Sequence, residues 1–253
     1  MTYAPQADHR TNWLLAALEP EDFVALEPHL EMVELTHGQV LYEAGAPIRY
    51  AYFPHHAVVS LVNVLEDGHM AEVAQFDRGG VVGLLSALVT REAFGRYVVQ
   101  MAGTASRIPV KTLDEIRSTH PKLQQVIASY GELLLAQTLQ ILACNAIHPV
   151  GARCCRWILM MHDRAEQDTL PLTHEFLAEM LGVQRSMVSV VLRTLQAAGV
   201  IQQRRGSITV TDRAGLEEMA CECYGRIRRI YQCVDAWPLP TATGRLNLPR
   251  NFA

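Results

Sequence analysis

The sequence predicts an α+β protein: an N-terminal antiparallel β-roll, one long helix, and a C-terminal domain of short helices with a β-hairpin. Three observations lead to this prediction. Between about residues 32 and 109, apolar residues alternate or run in short stretches, with glycine-containing turns between them. From 121 to 148 the apolar period becomes helical. Two short amphipathic helices separated by a glycine follow between 172 and 201.

Length and composition place the chain among globular proteins that are large enough for two domains. It has 253 residues, of which 49% are hydrophobic. The N-terminus lacks the basic-then-apolar order of a secretion signal, and no run approaches the roughly 18 uncharged apolar residues of a membrane span. We therefore expect a cytoplasmic protein without a membrane partner.

The charge is divided unequally along the chain, whose net charge is −4. Residues 1–148 carry 9 Lys and Arg against 16 Asp and Glu, whereas residues 149–233 carry 11 Arg against 9 acids. Only the C-terminal part suits a polyanion, and its small excess means that binding must depend on where the arginines lie.

The first domain is predicted over residues 1–118. Short helices are expected from Trp13 and from Pro20, before the strands begin. Several short strands with glycine turns, and no long helices between them, favour an antiparallel barrel or roll over a parallel α/β sheet.

A dimerisation helix is predicted over residues 119–148. A helix of about 28 residues spans roughly 40 Å, and Lys122 and Glu132 are its only charged residues. Such an apolar helix must be covered on more than one side, so we expect one face to cover the roll and another to pair with a second copy. The break at His148-Pro149-Val150-Gly151 is the expected hinge. The residues assigned to the dimer helix are Leu123, Ile127, Tyr130, Leu134, Gln137 and Ile141.

The third domain, over residues 149–233, contains the two short helices. Thr173 is the expected N-cap of the first, and Gly182 ends it. The second helix has a polar, basic outer face and an apolar face, to which Met187 and Val190 are assigned. The segment QQRRGSITV predicts a hairpin, or wing, with arginines near its tip. The tail, 234–253, is expected to extend over the surface or to be disordered.

Roll, long helix, hinge helix, helix-turn-helix and wing, in this order, resemble the Crp/Fnr family of bacterial transcription regulators. The resemblance covers about residues 20–220, and its most specific part is LTHEFLAEMLGVQRSMVSVVLRTLQAAGVIQQRRGSITV. It implies a homodimer that reads a pseudo-palindromic site in double-stranded DNA, contacts RNA polymerase and responds to a small-molecule or protein effector. It implies neither a cofactor nor enzymatic activity.

The resemblance also assigns roles in DNA binding. Arg185 matches the family's familiar arginine, whereas Ser186 replaces the glutamate that often follows it and Val190 replaces a second arginine. The family's best-known half-site is therefore not expected. The implied base-reading residues are Gln184, Arg185, Ser186 and Ser189. The implied phosphate contacts are Arg153, Thr173, His174, Arg193, Arg204 and Arg205.

The effector pocket implied by the resemblance is degenerate. Cyclic-nucleotide-binding members have a Gly-Glu pair at the start of a short helix and an Arg-Ser or Arg-Thr pair about ten residues later. Here Gly83 is followed by Leu84, and Arg96 by Tyr97. A leucine cannot accept the ribose hydrogen bond, so cyclic AMP is not expected and the effector stays unidentified.

Two alternatives remain open beside this regulator. The chain could be a cyclic-nucleotide-responsive regulator with an altered binding cassette, or a protein-interaction module that does not bind DNA. An enzyme is disfavoured because the sequence has no phosphate loop, GxSxG or HExxH motif.

The cysteines and histidines are not expected to bind a metal. The six cysteines lie on predicted helices, and the Cys221-x-Cys223 spacing suits neither a zinc ribbon nor a thioredoxin motif, which predicts buried structural thiols. His37, His55, His56 and His69 are expected to be ordinary surface or turn residues.

Overall fold

Two antiparallel sheets form the predicted N-terminal roll in the structure, a computed structural model that describes residues 8–165 and 167–232. One sheet has the strand order β1-β7-β3 and the other β2-β6-β4-β5. The strands are β1 (Glu31–Leu35), β2 (Val40–Tyr42), β3 (Tyr50–Pro54), β4 (Val58–Val64), β5 (Met70–Phe76), β6 (Arg96–Met101) and β7 (Gly103–Pro109). Together with the helices that follow, they confirm the α+β fold class.

Short helices close the ends of the roll: α1 (Trp13–Ala16), α2 (Pro20–Leu26), α3 (Leu84–Val89) and α4 (Val110–Thr119). The two N-terminal helices were predicted. Asn12 caps α1 by accepting the backbone N–H groups of Leu14 and Leu15, and its amide donates to the carbonyls of Pro54 and Gly80. This buried side chain therefore fixes the N-terminal segment to the roll.

The long helix α5 (Pro121–Ile147) has the predicted length, and the residues assigned to the dimer helix lie mainly on the side that packs within the same chain. Leu123, Ile127 and Tyr130 pack into the core of the roll. Gln137 and Ile141 are buried within the same chain too, and Leu134 is partly buried. The free apolar face is a different one, since Leu135, Leu139 and Leu142 are 60%, 55% and 65% exposed. Because this helix is apolar on all sides, its sequence pattern does not show which side faces the protein interior.

Among the described residues, α5 is also the one helix with the length and apolar composition of a membrane span. The core helix of a soluble protein passes the same test. Here the hydroxyl of Tyr130 donates to the carbonyl of Val81, which holds α5 against the roll.

The C-terminal domain begins after the predicted break, since α5 ends at Ile147 and α6 starts at Val150. A small sheet of order β8-β10-β9 lies beside its helices. The predicted tail, 234–253, lies outside the described residues. The elements are α6 (Val150–Arg164), β8 (Thr169–Leu170), α7 (His174–Leu181), α8 (Arg185–Ala197), β9 (Ile201–Arg204), β10 (Ser207–Val210), α9 (Arg213–Met219) and α10 (Cys223–Gln232).

The C-terminal domain packs against the roll of its own chain through a buried carboxyl group. Glu72 of β5 accepts hydrogen bonds from Ser60, Gln75 and, at 3.0 Å, the indole N–H of Trp157 in α6. Burial raises the pKa of Glu72, and these hydrogen bonds partly oppose that effect. The two domains therefore share a buried polar contact beside their apolar packing, and Arg164 of α6 forms an ion pair with Asp77 of the roll.

Candidate nucleic-acid interface

The two helices α7 and α8 form the predicted helix-turn-helix. The hydroxyl of Thr173 accepts the N–H of Phe176 at 3.1 Å, which confirms the N-cap. Gly182 has a φ of +63°, a left-handed conformation that glycine adopts without strain, and it ends α7 as predicted. The buried side chains Val188, Leu192 and Leu195 fix α8 on the domain core.

The exposed face of α8 begins with polar residues and continues with apolar ones. Gln184, Arg185 and Ser186 are exposed, and Arg185 Nε lies 2.7 Å from Glu175 Oε1. This ion pair is solvent-exposed and therefore weak, so the guanidinium can exchange this carboxylate for another acceptor. The packing role predicted for Met187 and Val190 is wrong, because they are 46% and 54% exposed.

His174 connects the first helix, the second helix and the wing. Its Nδ1 lies 2.8 Å from Ser189 Oγ, and its Nε2 lies 3.0 Å from Gln203 Oε1. The Ser189 hydroxyl also donates to the carbonyl of Arg185. Both ring nitrogens and the serine hydroxyl thus have partners within the chain, and the DNA contacts that the resemblance implies for His174 and Ser189 stay predictions.

The wing presents two exposed arginines beside this surface. Arg204 pairs with Ser207 across the hairpin, and Gly206 in the turn has a φ of +76°. Arg204 and Arg205 are exposed, as is Arg193 on α8. Arg193 Nε donates to the carbonyl of Ser189, and its side chain stays at the surface. The resemblance implies phosphate contacts for these three exposed arginines, and that role stays a prediction.

Arg153 is not at the surface, which corrects its predicted phosphate contact. It is buried in α6, and its Nη1 donates to the carbonyl of Leu181 at 3.1 Å and to the side chain of Asn145 at 3.3 Å. Desolvation holds the pKa of Arg153 below its usual range. Its role in this structure is to join α5, α6 and the end of α7.

A cavity of about 250 Å³ lies in the roll, at the position of the predicted effector pocket. Gly83, Leu84 and Tyr97 line it, together with Leu134 and Leu135 of α5. Its polar groups are few, and a buried Tyr97 hydroxyl lies 3.3 Å from Ser86 Oγ. The cavity is thus lined both by residues of the roll and by Leu135, which belongs to the exposed face of α5.

The predicted pocket residue Arg96 is not among the lining residues. Its Nε donates to Glu43 Oε2 at 2.8 Å in a partly exposed ion pair. Leu84 is buried, and Gly83 precedes α3 with a φ of +82°. The backbone of the short helix is therefore present, but no charged side chain is among the described residues that line the cavity.

A group that the sequence analysis missed lies at the joint between α5 and the C-terminal domain. Cys144, His148, Cys221 and Cys223 have ligand atoms that are all within 4.8 Å of one another. The five described cysteines are buried and free, as predicted. Cys221 precedes α10 instead of lying on it, and this turn brings its side chain next to Cys223.

Comparisons with known proteins agree with this architecture. Residues 152–219 match the Crp-like helix-turn-helix domain. The chain is 25% identical to the global nitrogen regulator of Synechocystis sp. over 192 residues, which are 72% of this chain and 84% of that protein.

Two solved structures are similar in fold. FixK2 from Bradyrhizobium japonicum has a TM-score of 0.65 at 16% identity, over 76% of this chain and 98% of that one. A CRP/FNR-family transcriptional regulator from Thermus thermophilus has a TM-score of 0.62 at 22% identity, over 75% of this chain and 98% of that one.

Proposed function

Because this chain is a transcription regulator of the Crp/Fnr type, we propose that it acts as a cytoplasmic homodimer that binds a pseudo-palindromic DNA site through α8. The observation that supports this most is the joint surface of α8 and the wing. It presents polar and apolar side chains at the start and middle of α8, and exposed arginines beside them. A regulator of this type is not an enzyme, and contact with RNA polymerase is part of the proposal.

The dimer is proposed to form through the exposed stripe of Leu135, Leu139 and Leu142. The residues are spaced by four and three, the spacing of a two-stranded coiled coil. A symmetric pair of α8 helices would then reach successive major grooves about 34 Å apart.

Base recognition is assigned to Gln184, Arg185 and Ser186 at the start of α8, with Val190 as a further candidate. Arg185 can donate to O6 and N7 of a guanine, a contact worth about 1–3 kcal/mol of discrimination. Val190 is apolar and exposed, which suits the methyl group of a thymine. Ser189 and His174 are assigned a positioning role, because they hold α8 and the wing together.

The effector is proposed to be an apolar molecule held in the cavity of the roll. Leu84 and Tyr97 line that cavity, whereas Arg96 is paired with Glu43 outside it. A charged cyclic phosphate would lose its hydration there without gaining a cation, which disfavours a cyclic-nucleotide-responsive regulator. An apolar occupant would touch Leu134 and Leu135 of α5 and thereby favour one arrangement of the dimer helix.

Selection of bound sequences from random DNA, followed by titrations with the selected site and with unrelated DNA, tests the proposal. Arg185→Ala should reduce the preference for the selected site by about 10–100-fold and change non-specific binding little. Arg204→Ala should weaken binding to all sequences similarly and make its salt dependence shallower. Lys111→Ala, which removes an exposed charge from α4 in the other domain, is the control and should change neither.

Equal, sequence-independent losses for Arg185→Ala and Arg204→Ala would contradict the assignment of roles. A chain that selects no sequence and is retained equally weakly on all DNA would favour the protein-interaction module instead.

A further inference from the structure

Three thiols and one imidazole meet at the joint between the long helix and the last helix. Cys144 Sγ lies 3.5 Å from Cys221 Sγ, and Cys223 Sγ lies 3.5 Å from His148 Nδ1. All four donor atoms are within 4.8 Å of one another. In a tetrahedral site with zinc–sulfur bonds of about 2.3 Å and zinc–nitrogen bonds of about 2.0 Å, neighbouring donors are about 3.5–3.8 Å apart. The observed group is close to that arrangement.

The donor set is one that selects a soft or borderline metal ion. Three cysteines and one histidine form a common structural zinc site, in which all four positions are taken by the protein. Cys144, Cys221 and Cys223 are almost fully buried, whereas the side chain of His148 is 21% exposed. An ion can therefore reach the site from the side of His148 and be shielded from water once bound.

The second ring nitrogen of His148 has the partner that a metal-bound histidine usually has. Its Nε2 lies 3.1 Å from the carboxylate of Glu222, the residue between Cys221 and Cys223. Such a carboxylate fixes the tautomer that leaves Nδ1 free to bind the metal. The amide of Gln140 donates to Cys223 Sγ at 3.0 Å, a hydrogen bond that favours a thiolate.

The surrounding charge also favours thiolates at this place. Arg153 and Arg156 are buried in α6, close enough to interact electrostatically with Cys144 and Cys221. Within the described part of the chain, Nε of each arginine has no hydrogen-bond partner. Three thiolates with one divalent ion carry a net charge of −1, which would compensate part of this buried positive charge.

The three thiols are not part of the main apolar cores. They form a separate small cluster with Ala152, apart from the cores of the roll and of the C-terminal domain. Apolar packing alone therefore does not account for their position.

We propose that Cys144, His148, Cys221 and Cys223 bind one zinc ion. The ion would tie the end of α5 and the segment that follows it to the start of α10, across 77 residues of sequence between Cys144 and Cys221. It would thus fix the joint at which the C-terminal domain leaves the long helix.

The test uses the full chain, purified without a chelator or a metal-binding tag from cells supplied with zinc. Wild-type protein should contain about one zinc per chain by mass spectrometry of the metal. After the zinc has been removed with a chelator, wild-type protein titrated with Co²⁺ should develop thiolate-to-metal charge-transfer bands and the visible bands of a tetrahedral ion. Competition with a coloured chelator then gives the zinc affinity of each variant.

The variants separate ligands from other buried thiols. Cys223→Ser should lower the zinc affinity by at least tenfold, whereas Cys154→Ser, the same change at a buried cysteine outside the group, should leave it unchanged. Glu222→Gln should lower the affinity by about 10–100-fold. Because Glu222 is exposed, this variant keeps the test valid even if Cys223→Ser fails to fold.

Wild-type protein without zinc and without cobalt bands would overturn the proposal. So would a zinc affinity that neither Cys223→Ser nor Glu222→Gln changes. Isolation of the zinc-supplied protein with a Cys144–Cys221 disulfide would replace the metal site with a redox pair.

Discussion

The C-terminal domain and the roll bury their apolar residues in similar ways but differ in what they present at their sites. On α8, the polar side chains of Gln184, Arg185 and Ser186 are exposed to solvent. In the roll, Leu84 and Tyr97 line a partly open and mainly apolar cavity, and the nearby cation Arg96 is paired with Glu43 at the surface. The surface of α8 thus begins with polar groups, whereas the cavity is mainly apolar.

This difference shows that a fold can persist while the chemistry of its site changes. The strands and the short helix α3 of the roll depend on packing and on turns such as the one at Gly83, none of which requires a ribose-binding glutamate. Reading a DNA edge, by contrast, requires exposed donors on a fixed helix. Similarity of fold alone therefore does not identify what a site binds; the side chains at the site do.

The largest effect, on DNA affinity, is expected from a change on the exposed face of α5, the helix between the roll and the C-terminal domain. Leu139→Glu places a charge on the exposed leucine stripe and should convert the proposed dimer to a monomer. Specific DNA affinity should fall by about a thousandfold or more, because only one half-site is then held. Light scattering after gel filtration and DNA titrations measure both effects.

Leu65→Glu is the matched control for this change, since Leu65 is equally exposed but lies in the turn between β4 and β5. It should stay dimeric and bind DNA normally. If Leu139→Glu is still a dimer, the two copies associate through another surface.

A smaller effect is expected from restoring a carboxyl group to the roll. Leu84→Glu would bury a carboxylate with no cation in the cavity, and should lower the free energy of unfolding by about 2–5 kcal/mol. Leu84→Met, which nearly conserves volume, should lower it by less than about 1.5 kcal/mol. Urea unfolding measures the difference, and calorimetry with cyclic AMP should detect no binding to either variant. Micromolar binding to Leu84→Glu would show that one residue separates this roll from a nucleotide receptor.

Local features of the sequence predicted both the fold and the position of α8. The change of apolar period at residue 121, the cap at Thr173 and the turn at Gly182 are each encoded within a few residues, and the structure has all three. The short helix α4 was missed although Val110, Leu113 and Ile116 are spaced by three, because it is short and carries several charges.

Features that depend on the packing of distant segments could not be predicted in this way. The resemblance placed Arg153 at a phosphate, but tertiary packing buries it against the carbonyl of Leu181. The exposed side of α5 depends on how the roll docks against it. The thiol group was missed because Cys144 and Cys221 are far apart in sequence and the turn before Cys223 is not evident from the spacing.

The smallest effect is expected on the free energy of unfolding at acid pH, and it should be larger in the roll than in the C-terminal domain. His55 is buried in the roll beside the hydroxyl of Ser106, and desolvation, with repulsion from His9 and His56, lowers the pKa of His55 to about 4. The unfolded chain therefore binds a proton near pH 6.5, whereas the folded chain resists it. Stability should be full above pH 6.5 and fall as the pH decreases towards 4, by at most about 1.4 kcal/mol per pH unit.

His55→Gln should flatten this fall in urea unfolding measured from pH 7.5 to 4.5, whereas His69→Gln, at an exposed histidine of the same roll, should not. Hydrogen exchange at the same pH values should show that β7, which carries Ser106, loses protection before α8 does. If α8 loses protection first, or if His55→Gln retains the wild-type dependence, then titration of His55 in the roll does not cause the loss of stability in acid.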